Sequence, residues 1–168
     1  MNIPAATLGQ IAASAAAALS DDRRATVERA ADAGHLDSRV LATLAHAPGR
    51  LELFLDFYGS LISASFGDPR LKGVIHRRVG ELAELMARHE LPRHGELEPP
   101  AGLSADALAL VRFIDAFAID HQAIGPEIYD GLREHFSYSE MTELLWAVAI
   151  VRASARVGAA IGLPPVGR

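Results

Sequence analysis

No cysteine occurs anywhere in the 168 residues. That absence excludes disulfides, thiol redox chemistry and thiolate metal sites. It also leaves the compartment unmarked by cysteine usage, so a soluble cytoplasmic protein is the expectation. The apolar run IAASAAAAL near the N-terminus is too short to span a bilayer and lacks the basic flank of a signal peptide. No membrane contact is expected. A clustered basic surface is missing too: the formal charge is -5, with acidic and basic residues mixed along the chain. Only Lys72 to Arg78 is locally basic, too little for a nucleic-acid face. The paired spacings H-x-x-x-H and E-x-x-H, which put two metal ligands on one helical face, do not occur. Neither does a glycine-rich phosphate loop or a G-x-S-x-G nucleophile elbow. No metal and no cofactor are expected.

Half of the residues are hydrophobic, enough for a chain of this length to bury one core, so residues 1–168 read as a single domain. Wherever periodicity is clear it is helical, and no stretch shows the period-two alternation of a strand. The fold class expected is therefore all-α, a single-domain helical bundle. Residues 1–36 read as an N-terminal helical arm: an alanine-rich helix that buries little area by itself, then a helix begun by Ser20-Asp21-Asp22. From Arg50 to Phe66, the set Leu51, Phe54, Leu55, Tyr58, Leu61, Ile62 and Phe66 follows amphipathic spacing. Gly67-Asp68-Pro69 reads as a stop, a new N-cap and a proline at the first helical position. The next helix carries the stripe Leu71, Ile75, Val79, Leu82, Met86 and His89, beside a ladder of Arg77, Glu81, Glu84 and Arg88 expected to be a solvated face. His76 lies off the stripe and is expected to be exposed. Three prolines and two glycines in residues 90–103 exclude continuous helix there.

The chain closes on Tyr138 to Leu163, apolar on nearly every face, which predicts a central helix buried on all sides. Ser137 and Glu140 make a capping box at its start. Arg152 and Arg156 sit one turn apart within it, and a guanidinium sunk beside a core needs a carboxylate, a carbonyl or a bound anion. The competing account of these arginines is a structural ion pair with Glu143, Asp115 or a neighbouring subunit. His89 and His94, separated by Pro92, could bring two imidazoles to one irregular pocket wall. Taken singly, His89 suits a helix C-terminus and His94 an exposed loop.

The order HAPGRLELFLDFYGSLI, DPRLKGVIHRRVGEL, a histidine-bearing segment, AGLS, and FAIDHQAIGPEIYDGLREHFSYSEMTELLWAVAIVRASARVGAAIGLPP resembles the carboxymuconolactone decarboxylase and alkylhydroperoxidase-D-like family. The resemblance covers 46–165. It implies an alkylhydroperoxidase-D-like helical bundle that assembles as a homo-oligomer, a trimer or hexamer, with sites between helices near subunit contacts. In the peroxidase branch of that family, a glutamate, a C-x-x-C pair and a following histidine form a relay. Here Gly73 stands where the glutamate is common, no cysteine exists, and the histidine matches either His94 or His89. The tyrosine or asparagine common in the last helix is replaced by Ile150, Val151 and Arg152, and Pro99 and Pro100 interrupt a usually continuous helix. Thiol peroxidase activity is excluded, because its nucleophile is a thiolate.

What the resemblance leaves is the decarboxylase-like side: a cofactor-free lyase, decarboxylase, isomerase or cyclase acting on a small carboxylated, enolisable molecule. On that reading His89 or His94 is the acid–base group, Arg152 or Arg156 the anion clamp, and Phe54, Tyr58 and Trp146 shape an apolar substrate pocket. The other reading is a catalytically inactive member acting as a ligand-binding or scaffold oligomer. A pocket shared by a histidine and Arg152 separates the two.

Overall fold

A computed structural model describes residues 17, 19–34, 38–47, 49–61, 68–88, 90, 96–161 of the chain. Among them every regular element is a helix: α1 (Asp21–Gly34), α2 (Ser38–Ala45), α3 (Arg50–Ser60), α4 (Pro69–Ala87), α5 (Ala105–Asp120), α6 (Pro126–Arg133) and α7 (Tyr138–Ala160), with a 3-10 turn at His121–Ala123. The all-α class is thus established for the described residues. None of their helices is long and apolar enough to cross a membrane. The expected alanine-rich arm before Leu19, and the stop at Gly162 and Pro164, lie largely or wholly outside the described residues.

Local chemistry starts these helices where it should. Asp68 takes extended backbone and accepts the Arg70 amide at 2.8 Å, and Pro69 occupies the first helical position, where its missing N–H costs nothing. Pro126 does the same for α6. Ser137 and Glu140 form the complete capping box of α7, side chain to backbone in both directions. Gly102, in the turn that leads to Ser104 and α5, has φ 77, a left-handed conformation that glycine adopts without steric penalty.

The packing places α4 at the centre. Among the described residues it makes the two most extensive helix pairings, one with α5 and one with α7. Leu71, Ile75, Val79 and Leu82 of α4 meet Leu110, Phe113, Ile114 and Ala118 of α5 and Leu144, Val148 and Val151 of α7 in one core. Leu19 and Val27 extend that core beneath α1, so the described part of the N-terminal arm is docked rather than free.

The helix expected to be buried on all sides is not. On α7 only Leu144, Ala147, Val148, Val151 and Gly158 are buried, while Leu145, Trp146 and Val157 are exposed. Apolar composition all round predicts that every face has a covering, but the described residues cover one face only. The ladder on α4 is exposed at Arg77 and Arg88 and half-buried at Glu81 and Glu84. Glu81 pairs with Arg78 at 2.9 Å rather than with Arg77, and Arg88 pairs with Glu90 at 3.1 Å. Arg77 faces solvent.

Candidate functional site: an apolar cleft with two arginines

α4, α5 and α7 meet around a cleft of about 250 Å³. Val79, Leu82, Ala83 and Met86 line it from α4, Ala118 from α5, and Arg152, Ala155, Arg156 and Ala159 from α7. The geometry follows from small residues. Ala155 and Ala159 stand one turn apart on α7, and Ala83 faces them from α4, so the helices approach without large side chains filling the space between them. At 3.6 residues per turn, the Arg152 and Arg156 positions fall on the flank of α7, between its buried side and its exposed apolar side.

Those two arginines are the only charged residues of the cleft's described lining. Among the described residues neither has a hydrogen-bond or ion-pair partner, whereas the exposed Arg70, Arg88 and Arg133 each have a carboxylate. Burial pushes the Arg152 guanidinium pKa below its usual value, and the positive charge of Arg156 pushes it the same way. A guanidinium remains protonated at neutral pH regardless. Arg152 is therefore half-buried beside a like charge with nothing to neutralise it.

The carboxylates offered by the competing account lie elsewhere. Asp115 is held by Arg78, through 2.6 and 2.7 Å bonds from Nε and Nη2. Arg78 also donates to Glu81 at 2.9 Å and to the Glu98 carbonyl at 3.4 Å. It is the buried charged residue of the described core, 6% exposed. The hydrogen bond to Asp115, above all, raises its pKa. This network ties α4 to α5 and to the proline-rich segment after Leu97. Sequence reasoning passed over Arg78, although a signal existed: Leu71, Ile75, Arg78 and Leu82 fall on one 4, 3, 4 stripe.

The other residues expected at a site are distributed differently. Tyr58 is buried in the core, stacks on Phe54 with ring centroids 5.7 Å apart, and shares a 3.2 Å hydrogen bond between its hydroxyl and His76 Nε2. Burial pushes its phenol pKa well above the usual value. His76 is accordingly half-buried against α3, not exposed, because its ring reaches the one polar atom that Tyr58 must satisfy. Trp146 is 51% exposed and meets Phe57 edge-on at 5.8 Å. None of Phe54, Tyr58 and Trp146 lines the cleft. His89 and His94 lie outside the described residues, so the structure brings Arg152 and Arg156 together at the cleft and leaves the histidines unplaced.

The described lining holds two guanidiniums and otherwise apolar or small side chains, with no group there that titrates near neutrality. Among the described residues, no group of three or more His, Asp or Glu could hold a metal ion. No protein-family model, curated protein or solved structure matches this chain.

Proposed function

We propose that this chain is a cofactor-independent small-molecule enzyme of the carboxymuconolactone decarboxylase type, a lyase, decarboxylase or isomerase, whose carboxylated substrate is anchored in the cleft by Arg152. The observation that carries the reading is a half-buried guanidinium, beside a second one, with no counter-ion among the described residues. An uncompensated charge of this kind lowers the stability of the empty protein, and a bound carboxylate relieves it. Arg152 holds such a group through two parallel N–H···O bonds, with Arg156 at its side. His89 or His94 is the acid–base group, withdrawing or returning a proton at the carbon next to the substrate carbonyl. The same proposal includes assembly of a cytoplasmic homo-oligomer, argued below from the uncovered face of α7.

The test is incubation with a panel of enolisable carboxylates in deuterated water, following carbon-bound deuterium and loss of carboxylate by NMR. Replacing the true base should lower turnover by roughly 10²–10⁴-fold with the fold intact. Arg152→Lys should weaken binding and erase the preference for carboxylates over their amides, and Arg77→Lys should do neither. Arg152→Met should in addition raise the melting midpoint of the empty protein, by about 2–4 °C for each ~1 kcal/mol regained. Wild-type turnover retained in His89→Ala, His94→Ala and Arg152→Lys would overturn the assignment.

A second reading, a ligand-binding oligomer without catalysis, is favoured by one observation: the described lining offers no acid–base group. It predicts Arg152-dependent binding across the panel with no exchange at carbon and no lost carboxylate.

A further inference from the structure

The chemistry of the cleft wall limits what the anion is attached to. Apart from the two guanidiniums, the described lining is Val79, Leu82, Ala83, Met86, Ala118 and two further alanines, with no hydroxyl, amide or carboxylate side chain among these residues. A ligand hydroxyl or ring oxygen placed there loses water and gains no partner, which weakens binding by about five- to 150-fold for each such group. A methylene placed there gains about fourfold. The volume of about 250 Å³ is shared by head and body and restricts the ligand to a small molecule.

Resting on the reading of the cleft as a carboxylate site, we infer that its ligand is a small monocarboxylate whose body is hydrocarbon apart from the one carbonyl that the proposed proton transfer needs, and not an oxygen-rich lactone or dicarboxylic acid. The head lies at Arg152 and Arg156, where Arg156 is exposed and lets one carboxylate oxygen stay hydrated. The body lies against Val79, Leu82 and Met86, and the unbranched, flexible Met86 adjusts to its shape. Ala155 sets how much body the cleft accepts, since a larger side chain there projects into the space that the ligand fills.

The experiment uses the full chain and isothermal titration with butanoate, hexanoate, octanoate and decanoate, then octanamide, octanedioate and a γ-lactone carboxylate of octanoate's size. Affinity should rise about fourfold per methylene until the body fills the cleft, and level off within the series. Octanoate should exceed both octanedioate and the lactone at least tenfold. Ala155→Leu should move the ceiling to shorter chains, and the length series on the wild-type chain tests the inference even where that variant does not fold. Arg152→Gln should abolish the preference of octanoate over octanamide. If the lactone or octanedioate binds as tightly as octanoate and still depends on Arg152, the hydrocarbon body is wrong while the carboxylate site stands. If no carboxylate binds in an Arg152-dependent way, the carboxylate site itself falls, and this inference with it.

Discussion

Arg78 and Arg152 are both arginines pressed against the same core from different helices, and the difference between them is the partner. Arg78 has Asp115, Glu81 and a backbone carbonyl; Arg152 has none among the described residues. A buried pair is weak evidence of net stabilisation, but removing one member leaves the other charge desolvated. Asp115→Ala should therefore cost about 3–5 kcal/mol in urea unfolding. The exposed pair Arg133–Asp130, with side chains 52% and 65% accessible, gives the contrast: Asp130→Ala should cost about 0–1 kcal/mol. Replacing both Arg78 and Asp115 by apolar residues of similar volume should recover much of the loss. If Asp115→Ala is no costlier than Asp130→Ala, the network between α4 and α5 is not structural, and Arg78 becomes a candidate for ligand binding in its own right.

Single helices were legible in the sequence to the extent that their signals are local. Asp68, and Ser137 with Glu140, begin helices because each satisfies a free backbone group within three residues, and Pro69 and Pro126 because their missing N–H has no partner to lose in the first turn; no tertiary context is needed for either. The capping box of α7 carries a prediction of its own. Hydrogen bonds from the Ser137 hydroxyl and amide hold the Glu140 carboxyl below its usual range. A carboxylate whose folded pKa is lowered contributes stability that is present above its unfolded value near 4.5 and lost as the pH falls through the folded value. Ser137→Ala should cost about 0.5–2 kcal/mol at neutral pH, and the penalty should shrink in acid as Glu140 is protonated in wild type and variant alike. Equal penalties at pH 7 and in strong acid would show that Glu140 takes no part. What was not legible depends on how helices face each other. Arg78 and Asp115 are 37 positions apart, and their meeting depends on the rotation of α4 against α5, which periodicity fixes only to within a residue. The Arg152 and Arg156 flank was legible as a pair one turn apart, whereas the cleft opposite it needs three helices and was not.

At the scale of the whole molecule, the apolar face of α7 has no covering from the described chain. Trp146, Ala153 and Val157 are exposed and follow one side of that helix, and Phe57 and Leu53 of α3 continue the surface, Leu53 at 63% exposure. A helix apolar on all faces is ordinarily buried on all faces, and a contiguous surface of Leu, Phe and Trp is rare on a monomer. A second copy of the chain presents the same uncharged surface, and a self-complementary patch of this kind closes symmetrically. The expected outcome is a homo-oligomer in light scattering at micromolar concentration, with Trp146 emission that shifts to the red on dilution as its ring becomes hydrated. Phe57→Glu would place a charge opposite its own copy in such an interface and should yield monomers that keep their helical circular dichroism. The cleft lies on the other flank of α7, so those monomers should still bind a carboxylate if the site is complete within one chain. Wild-type protein that scatters as a monomer throughout would leave the exposed tryptophan without this explanation, and monomers that no longer bind would show that a neighbouring copy completes the site.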